Sequence, residues 1–283
     1  MSGARINAYV EKPFRLTSIR FSHYVEKVRW TMDRLAIPYL ERPLMPLVHF
    51  AVTPFVTGLS GHADDQSTRF STPVIKTDRN EVIVKSSAIM RYLSERCLSK
   101  GETLFPTEEV VQLDDHYNRY LGPHTRRLFY INVLDQPDLM FELTDRNVGV
   151  GQAWLFRVLF RSFRKWILSG LGITRERVDK GIGHIHKEFD RVAQRLGDGR
   201  PYLFGDRLTA ADISFACLGG AAMLPTPEEG YGAYLPPVDR CSDELRRVST
   251  ELRDSDAGKW ALSLYRAERG KRVIPALPGL LRP

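Results

Sequence analysis

The chain changes its hydrophobic rhythm near residue 100, and that break limits the fold more than any other feature. Before it, two-residue alternation and helical spacing take turns. After it, only helical spacing persists. Residues 14–21 alternate: Phe14, Leu16, Ser18 and Arg20 face one way, Thr17, Ile19 and Phe21 the other, which predicts a strand. Ser22 follows, and Val25, Val28, Met32 and Leu35 then recur at spacings of three and four. That spacing predicts an amphipathic helix that Pro38 stops. Ser22 suits its N-cap, and Glu26 suits its first turn. Tyr39 to Arg42 reads as a second strand. Residues 43–71, with Pro43, Pro46, Pro54, Gly58, Gly61 and a polar run, read as a long loop holding one short helix. Pro73-Val74-Ile75 and Glu81-Val82-Ile83-Val84 flank Thr77-Asp78-Arg79-Asn80 and predict a hairpin. Ser86 starts a helix whose apolar stripe is Ala88, Ile89, Tyr92 and Leu93.

From about residue 107 to 270 the pattern is helical, with breaks expected at Pro123, Pro137, Gly170–Gly172, Gly197–Gly199 and Pro225–Pro227. The expected fold class is therefore α/β followed by all-α: a small domain over residues 1–100 and an all-helical domain over 107–283, joined by KGETLFPTEE. A length of 283 residues allows a full core in each.

Composition narrows the functional classes. A hydrophobic fraction of 43% and a charged fraction of 27% exclude a disordered chain. The net charge of +7 is spread along the chain, which permits anionic ligands without pointing to nucleic acid. Cys97, Cys217 and Cys241 form no CxxC pair, so a zinc ribbon and a dithiol redox motif are both excluded. Unpaired cysteines, no signal-peptide pattern and no apolar run of about 18 residues lead to the expectation of a cytoplasmic protein without a membrane span. His49, His62, Asp64 and Asp65 match no metal-ligand spacing and read as solvated loop residues, so no metal is expected.

Four local patterns carry chemistry or folding information. Phe21-Ser22-His23-Tyr24 places a hydroxyl where a strand turns into a helix; the open N–H groups and positive dipole end there stabilise an anion such as a thiolate. His23 reads as an imidazole at the solvent edge, and Tyr24 is the nearest rival hydroxyl. Ser71-Thr72-Pro73 suits a cis peptide before a strand. Lys85-Ser86-Ser87 ends a strand and opens a helix, so that the Ser86 hydroxyl and the Ser87 N–H make a small anion pocket. Thr209-Ala210-Ala211-Asp212 is a capping box at the start of an apolar helix. A fifth stretch, residues 154–166, is basic, aromatic and helical. A membrane-surface helix and a core helix with a solvated basic face both fit it; the second is favoured.

In order and spacing these patterns resemble the cytosolic glutathione transferases, over roughly residues 13 to 270. The resemblance implies a thioredoxin-like first domain that binds glutathione and a helical second domain that completes an apolar co-substrate site. It implies that Ser22 is the catalytic residue of a serine-type, divergent member that conjugates glutathione to an apolar small-molecule electrophile. It further implies that Thr72, ahead of Pro73, offers its backbone to the cysteinyl part of glutathione, and that Ser86 and Ser87 hold the γ-glutamyl carboxylate. Relatives are usually dimeric, so a homodimer is expected. Lys85 departs from the family pattern: relatives carry Glu or Gln there for the γ-glutamyl ammonium, which a lysine repels. Asp64 or Asp65 is a possible substitute acid. Arg69 is a candidate for the glycyl carboxylate, since Ser71 stands where a basic residue is common. The second functional reading is a transferase-like ligand-binding protein with an altered or lost glutathione site. A thiol oxidoreductase is disfavoured, because position 22 is not cysteine.

Overall fold

The computed structural model describes residues 10–57, 70–98 and 102–270. Four strands form one sheet in the order β2-β1-β3-β4: β1 (Phe14–Ser18), β2 (Tyr39–Pro43), β3 (Val74–Lys76) and β4 (Val82–Val84). β1 runs parallel to β2, with Phe14 opposite Tyr39, and antiparallel to β3, with Leu16 opposite Ile75. The hairpin pairs Val74 with Val84. This is a thioredoxin-like sheet, with α1 (His23–Arg34) and α3 (Ser86–Cys97) packed on it and α2 (Val48–Thr57) in the connection to β3. β1 is shorter than the alternation predicts. It stops at Ser18 because the Ser22 N–H turns back to the Ile19 carbonyl at 2.8 Å, closing a tight turn that aims the chain into α1.

The remainder is helical: α4 (Glu108–His116), a π-helical turn (Tyr117–Leu121), α5 (Gly122–Leu134), α6 (Pro137–Asn147), α7 (Val150–Gly170), α8 (Arg175–Leu196), α9 (Ala210–Met223), α10 (Asp243–Asp254) and α11 (Asp256–Glu268). Pro123 does not break this run. It sits in the first turn of α5 directly after the π turn, whose wider register absorbs the hydrogen bond that proline cannot donate.

Helix α9 is buried along its whole length, so it has no polar face. Its start is fixed by Asp212, whose carboxylate accepts from the Thr209 N–H at 2.7 Å, the Thr209 hydroxyl at 2.6 Å and the Leu203 N–H at 2.8 Å. Thr209→Ala is expected to cost about 0.5–2 kcal/mol, read as a lower urea midpoint with an unchanged slope.

Two cores meet at α1. Val25, Val28 and Met32 pack with Phe14, Leu16 and Ile75 of the sheet. Trp30, on the opposite side, joins the large core of the helical half and packs against Tyr265 with ring centres 4.6 Å apart and the planes tilted by 50°. The sequence pattern gives α1 one apolar stripe, yet its polar residues are buried as well. Glu26 accepts from Arg29 at 2.9 Å and Arg269 at 2.7 Å, and Lys27 donates to Asp114 at 2.8 Å. These pairs let a helix with charged residues lie between a sheet and a helical bundle.

Candidate active site

The turn after β1 brings Ser22 to the N-cap position of α1 with extended backbone (φ −69°, ψ 128°). Its carbonyl accepts from Val25 and Glu26, but its hydroxyl makes no capping bond to the helix and no hydrogen bond among the described residues. The two side chains that follow are committed. His23 is buried, not at the solvent edge, and its Nε2 donates to the Gly122 carbonyl at 3.1 Å. Burial, reinforced by the charge of Arg126, lowers its pKa to about 3, so the imidazole is neutral. The Tyr24 hydroxyl donates to the Asn118 carbonyl at 3.2 Å, and burial raises its pKa. Both contacts land on the π turn and the start of α5. That approach requires a glycine at 122, because a Cβ there would stand 2.4 Å from the Tyr24 oxygen. The first turn of α1 is thus clamped to the helical half by His23 and Tyr24, and Ser22 is the hydroxyl left over.

Ser22 opens onto a cavity of about 250 Å3 between the two halves. Ser71 and Thr72 line its other strand-side edge, and the Thr72-Pro73 peptide is cis, as the sequence predicts. Pro46, Leu47 and Phe50 close one side. Arg126, Phe129 and Tyr130 of α5 and Trp166 and Ile167 of α7 form the opposite wall. Gln152 fastens α7 over the cavity by accepting from the Met45 N–H and donating to the Pro43 carbonyl, both at 3.1 Å. His49 belongs to this wall too. It is buried, its Nδ1 accepts from the Leu47 N–H at 3.0 Å, and burial lowers its pKa to about 4; the solvated loop expected from sequence is corrected here.

Lys85, Ser86 and Ser87 are not on the cavity wall. Lys85, not Ser86, occupies the N-cap of α3. It is exposed and has φ +69°, a left-handed conformation uncommon for a lysine. Ser86 is buried at the first helical position, and its hydroxyl makes no hydrogen bond among the described residues. The Ser87 hydroxyl instead faces α1 and the π turn, accepting from Lys27 at 3.2 Å and Asn118 at 2.8 Å, which leaves its N–H in the open first turn. His62, Asp64, Asp65 and Arg69 lie outside the described residues. No group of three or more metal-ligating side chains occurs among the described residues.

Helix α7 resolves the basic aromatic stretch. Ala153, Phe156, Phe163 and Ile167 face the core, while Trp154 and Val158 are exposed. Arg157 pairs with Asp145 and Arg164 with Asp135 on the surface. No helix among the described residues is long and apolar enough to cross a membrane.

Residues 16–97 match the family described as glutathione S-transferase, N-terminal domain, and residues 175–254 match glutathione S-transferase, C-terminal domain. The chain belongs to the glutathione S-transferase superfamily. Among solved structures it is similar to glutathione transferase GSTFuA3 of Phanerochaete chrysosporium, at 17% identity and a TM-score of 0.57 over 91% of this chain and 97% of that one. A glutathione S-transferase of Ceriporiopsis subvermispora, solved in complex with glutathione, is similar at 19% identity and a TM-score of 0.56 over 93% and 99%. A glutathione S-transferase of Rhodospirillum rubrum follows at 17% and 0.51 over 95% and 96%. At these identities the likeness is one of fold. No curated protein sequence matches the chain.

Sequence reasoning singled out Ser22 and Thr72, which share the cavity. It missed the wall opposite them. Arg126, Phe129 and Tyr130 carry no local motif, and only the packing of α5 against α8 and α9 places them there.

Proposed function

We propose that this protein is a serine-type glutathione transferase that adds the glutathione thiolate to a largely apolar electrophile. The observation that carries the reading is the Ser22 hydroxyl: unengaged, at the open N-terminal turn of α1, on the wall of an apolar cavity between the two halves. Such a hydroxyl donates to a sulfur anion, and the first-turn N–H groups and helix dipole favour that anion over the thiol. In this reading the Thr72 backbone, next to its cis proline, binds the cysteinyl unit. The Ser86 hydroxyl and the Ser87 N–H take the γ-glutamyl carboxylate. The electrophile lies against α5 and α7. The cavity-lining position of Thr72 and the open first turn of α3 support this reading, and Lys85 departs from it.

Retention on a glutathione-affinity matrix, followed by conjugation of a generic aryl halide, tests the reading; flow-through at physiological salt contradicts it. The ligand-binding alternative is favoured by one residue, Lys85, whose charge opposes a bound ammonium. Lys85→Glu is expected to tighten glutathione binding about two- to fivefold, the range of an exposed ion pair. Unchanged affinity by calorimetry removes that electrostatic argument. A cytoplasmic homodimer, with the domain division at 1–100 and 107–283, is part of the same proposal. The three buried free cysteines suit a reducing compartment, and light scattering reads the dimer.

A further inference from the structure

Helix α7 has three faces. At about 100° per residue, Ala153, Phe156, Phe163 and Ile167 fall together, and all four are buried in the helical core. The sequence favours a solvated basic face for the rest, but basic residues cover only part of it. Arg157, Arg161 and Arg164 form one flank, where Arg157 and Arg164 are tied to Asp145 and Asp135. The remaining arc, about 140° wide, holds Trp154, Leu155, Val158, Leu159 and Trp166, all exposed. Trp154 and Trp166 are 63% and 61% exposed, so they are not the rim of the core. Lys165 sits within this arc and Arg161 on its edge. Across its 21 residues α7 carries four cations and neither aspartate nor glutamate. Trp166 and the exposed Phe50 of α2 both line the cavity, so the apolar exposure extends from α7 to α2. Single exposed apolar side chains are ordinary; a contiguous run of them edged by cations marks a contact surface.

We propose that the exposed arc of α7 docks on an anionic lipid bilayer. The helix lies in the headgroup plane, with Trp154 and Val158 at the acyl boundary and Arg161 and Lys165 at the lipid phosphates. Tryptophan suits that boundary because its ring is apolar and its N–H polar, and long cationic side chains reach from apolar surface to headgroups. The charge pattern selects the occupant. A second copy docked on the same arc, across a twofold axis at mid-helix, sets Arg161 and Lys165 against their own equivalents. A bilayer of acidic lipids supplies the opposite charge instead. The attachment is peripheral, since no helix among the described residues is long and apolar enough to cross a membrane. The proposal goes beyond the transferase reading and does not depend on it. Because Trp166 lines the cavity, docking sets the cavity mouth beside the lipid.

Co-sedimentation of the full chain with large vesicles tests this, using phosphatidylcholine alone and phosphatidylcholine with phosphatidylglycerol in equal parts. Wild type is expected to bind the anionic vesicles about ten- to thirtyfold more tightly than the neutral ones, the scale of two cations near a charged surface. Arg161→Gln with Lys165→Gln is expected to remove that preference. Trp154→Ser with Val158→Ser is expected to weaken binding to the anionic vesicles by about tenfold or more. Its urea midpoint should stay that of wild type, because both side chains are exposed. No binding to the anionic vesicles overturns the proposal, as does binding that either double variant leaves unchanged. So does a lipid-free oligomer that Trp154→Ser with Val158→Ser dissociates in light scattering, because a second copy then covers the arc.

Discussion

Lys27→Met is expected to destabilise the protein by about 3–5 kcal/mol, the usual cost of removing one member of a buried ion pair. Lys27 and Asp114 are both fully buried, with Nζ 2.8 Å from Oδ1, and the pair joins α1 to α4 across the two halves. The Lys27 ammonium also reaches Asn118 at 3.1 Å and Ser87 at 3.2 Å, and Ser214 donates to the same carboxylate. Burial by itself would push the Asp114 pKa up. The charge and hydrogen bond of Lys27, with the hydroxyls of Ser214 and Ser87, outweigh it and hold the carboxyl below its ordinary value. A depressed carboxyl contributes stability that is complete above its unfolded pKa, about 4, and is lost as pH falls through the lower folded value. Wild type should therefore lose this contribution only in strong acid. In Lys27→Met the carboxylate keeps its burial and loses its cation, so protonation stabilises it and the variant should lose less stability on acidification from pH 7. Urea unfolding at neutral and acidic pH reads both effects. A loss under about 1 kcal/mol at neutral pH would show that the pair is solvated. Adding Asp114→Asn to Lys27→Met should recover part of the loss, as expected for directly coupled residues.

Ser22→Ala is expected to lower conjugation turnover on the order of a hundredfold, the scale of removing one donor aimed at a reacting anion. Glutathione affinity should stay within about twofold, because backbone and α3 contacts supply it. Folding should be unaffected, since the Ser22 hydroxyl forms no capping bond. Tyr24→Phe is the control. Its hydroxyl is committed to Asn118, so turnover should fall far less than in Ser22→Ala. A reversal of the two effects would move the catalytic role to Tyr24.

The order of elements was legible in the sequence because strand alternation and helical spacing are local properties. The Thr209 capping box was legible for the same reason, as were the cis Thr72-Pro73 step and the placement of Ser22 at a helix start. Other features depended on distant partners. Pro123 looks like a break, and only the π turn before it lets the helix continue. His23 and His49 look like surface histidines, and each is buried by a neighbour remote in sequence or by the folding of its own loop. The charged residues of α1 look like a solvated face, but their counter-ions come from Asp114 and Arg269. Arg126 has no local signature at all, because only tertiary packing brings it to a cavity that seven separate stretches of the chain line.

The most direct measurement is the pH titration of the glutathione thiolate, followed by its ultraviolet absorbance, on wild type and Ser22→Ala. If Ser22 shelters the sulfur anion, the bound thiol in wild type ionises about one to two pH units below the free value of about 8.5, and Ser22→Ala moves it back most of the way. A wild-type thiol that ionises as it does in water, or two proteins with the same titration, would contradict the role of Ser22.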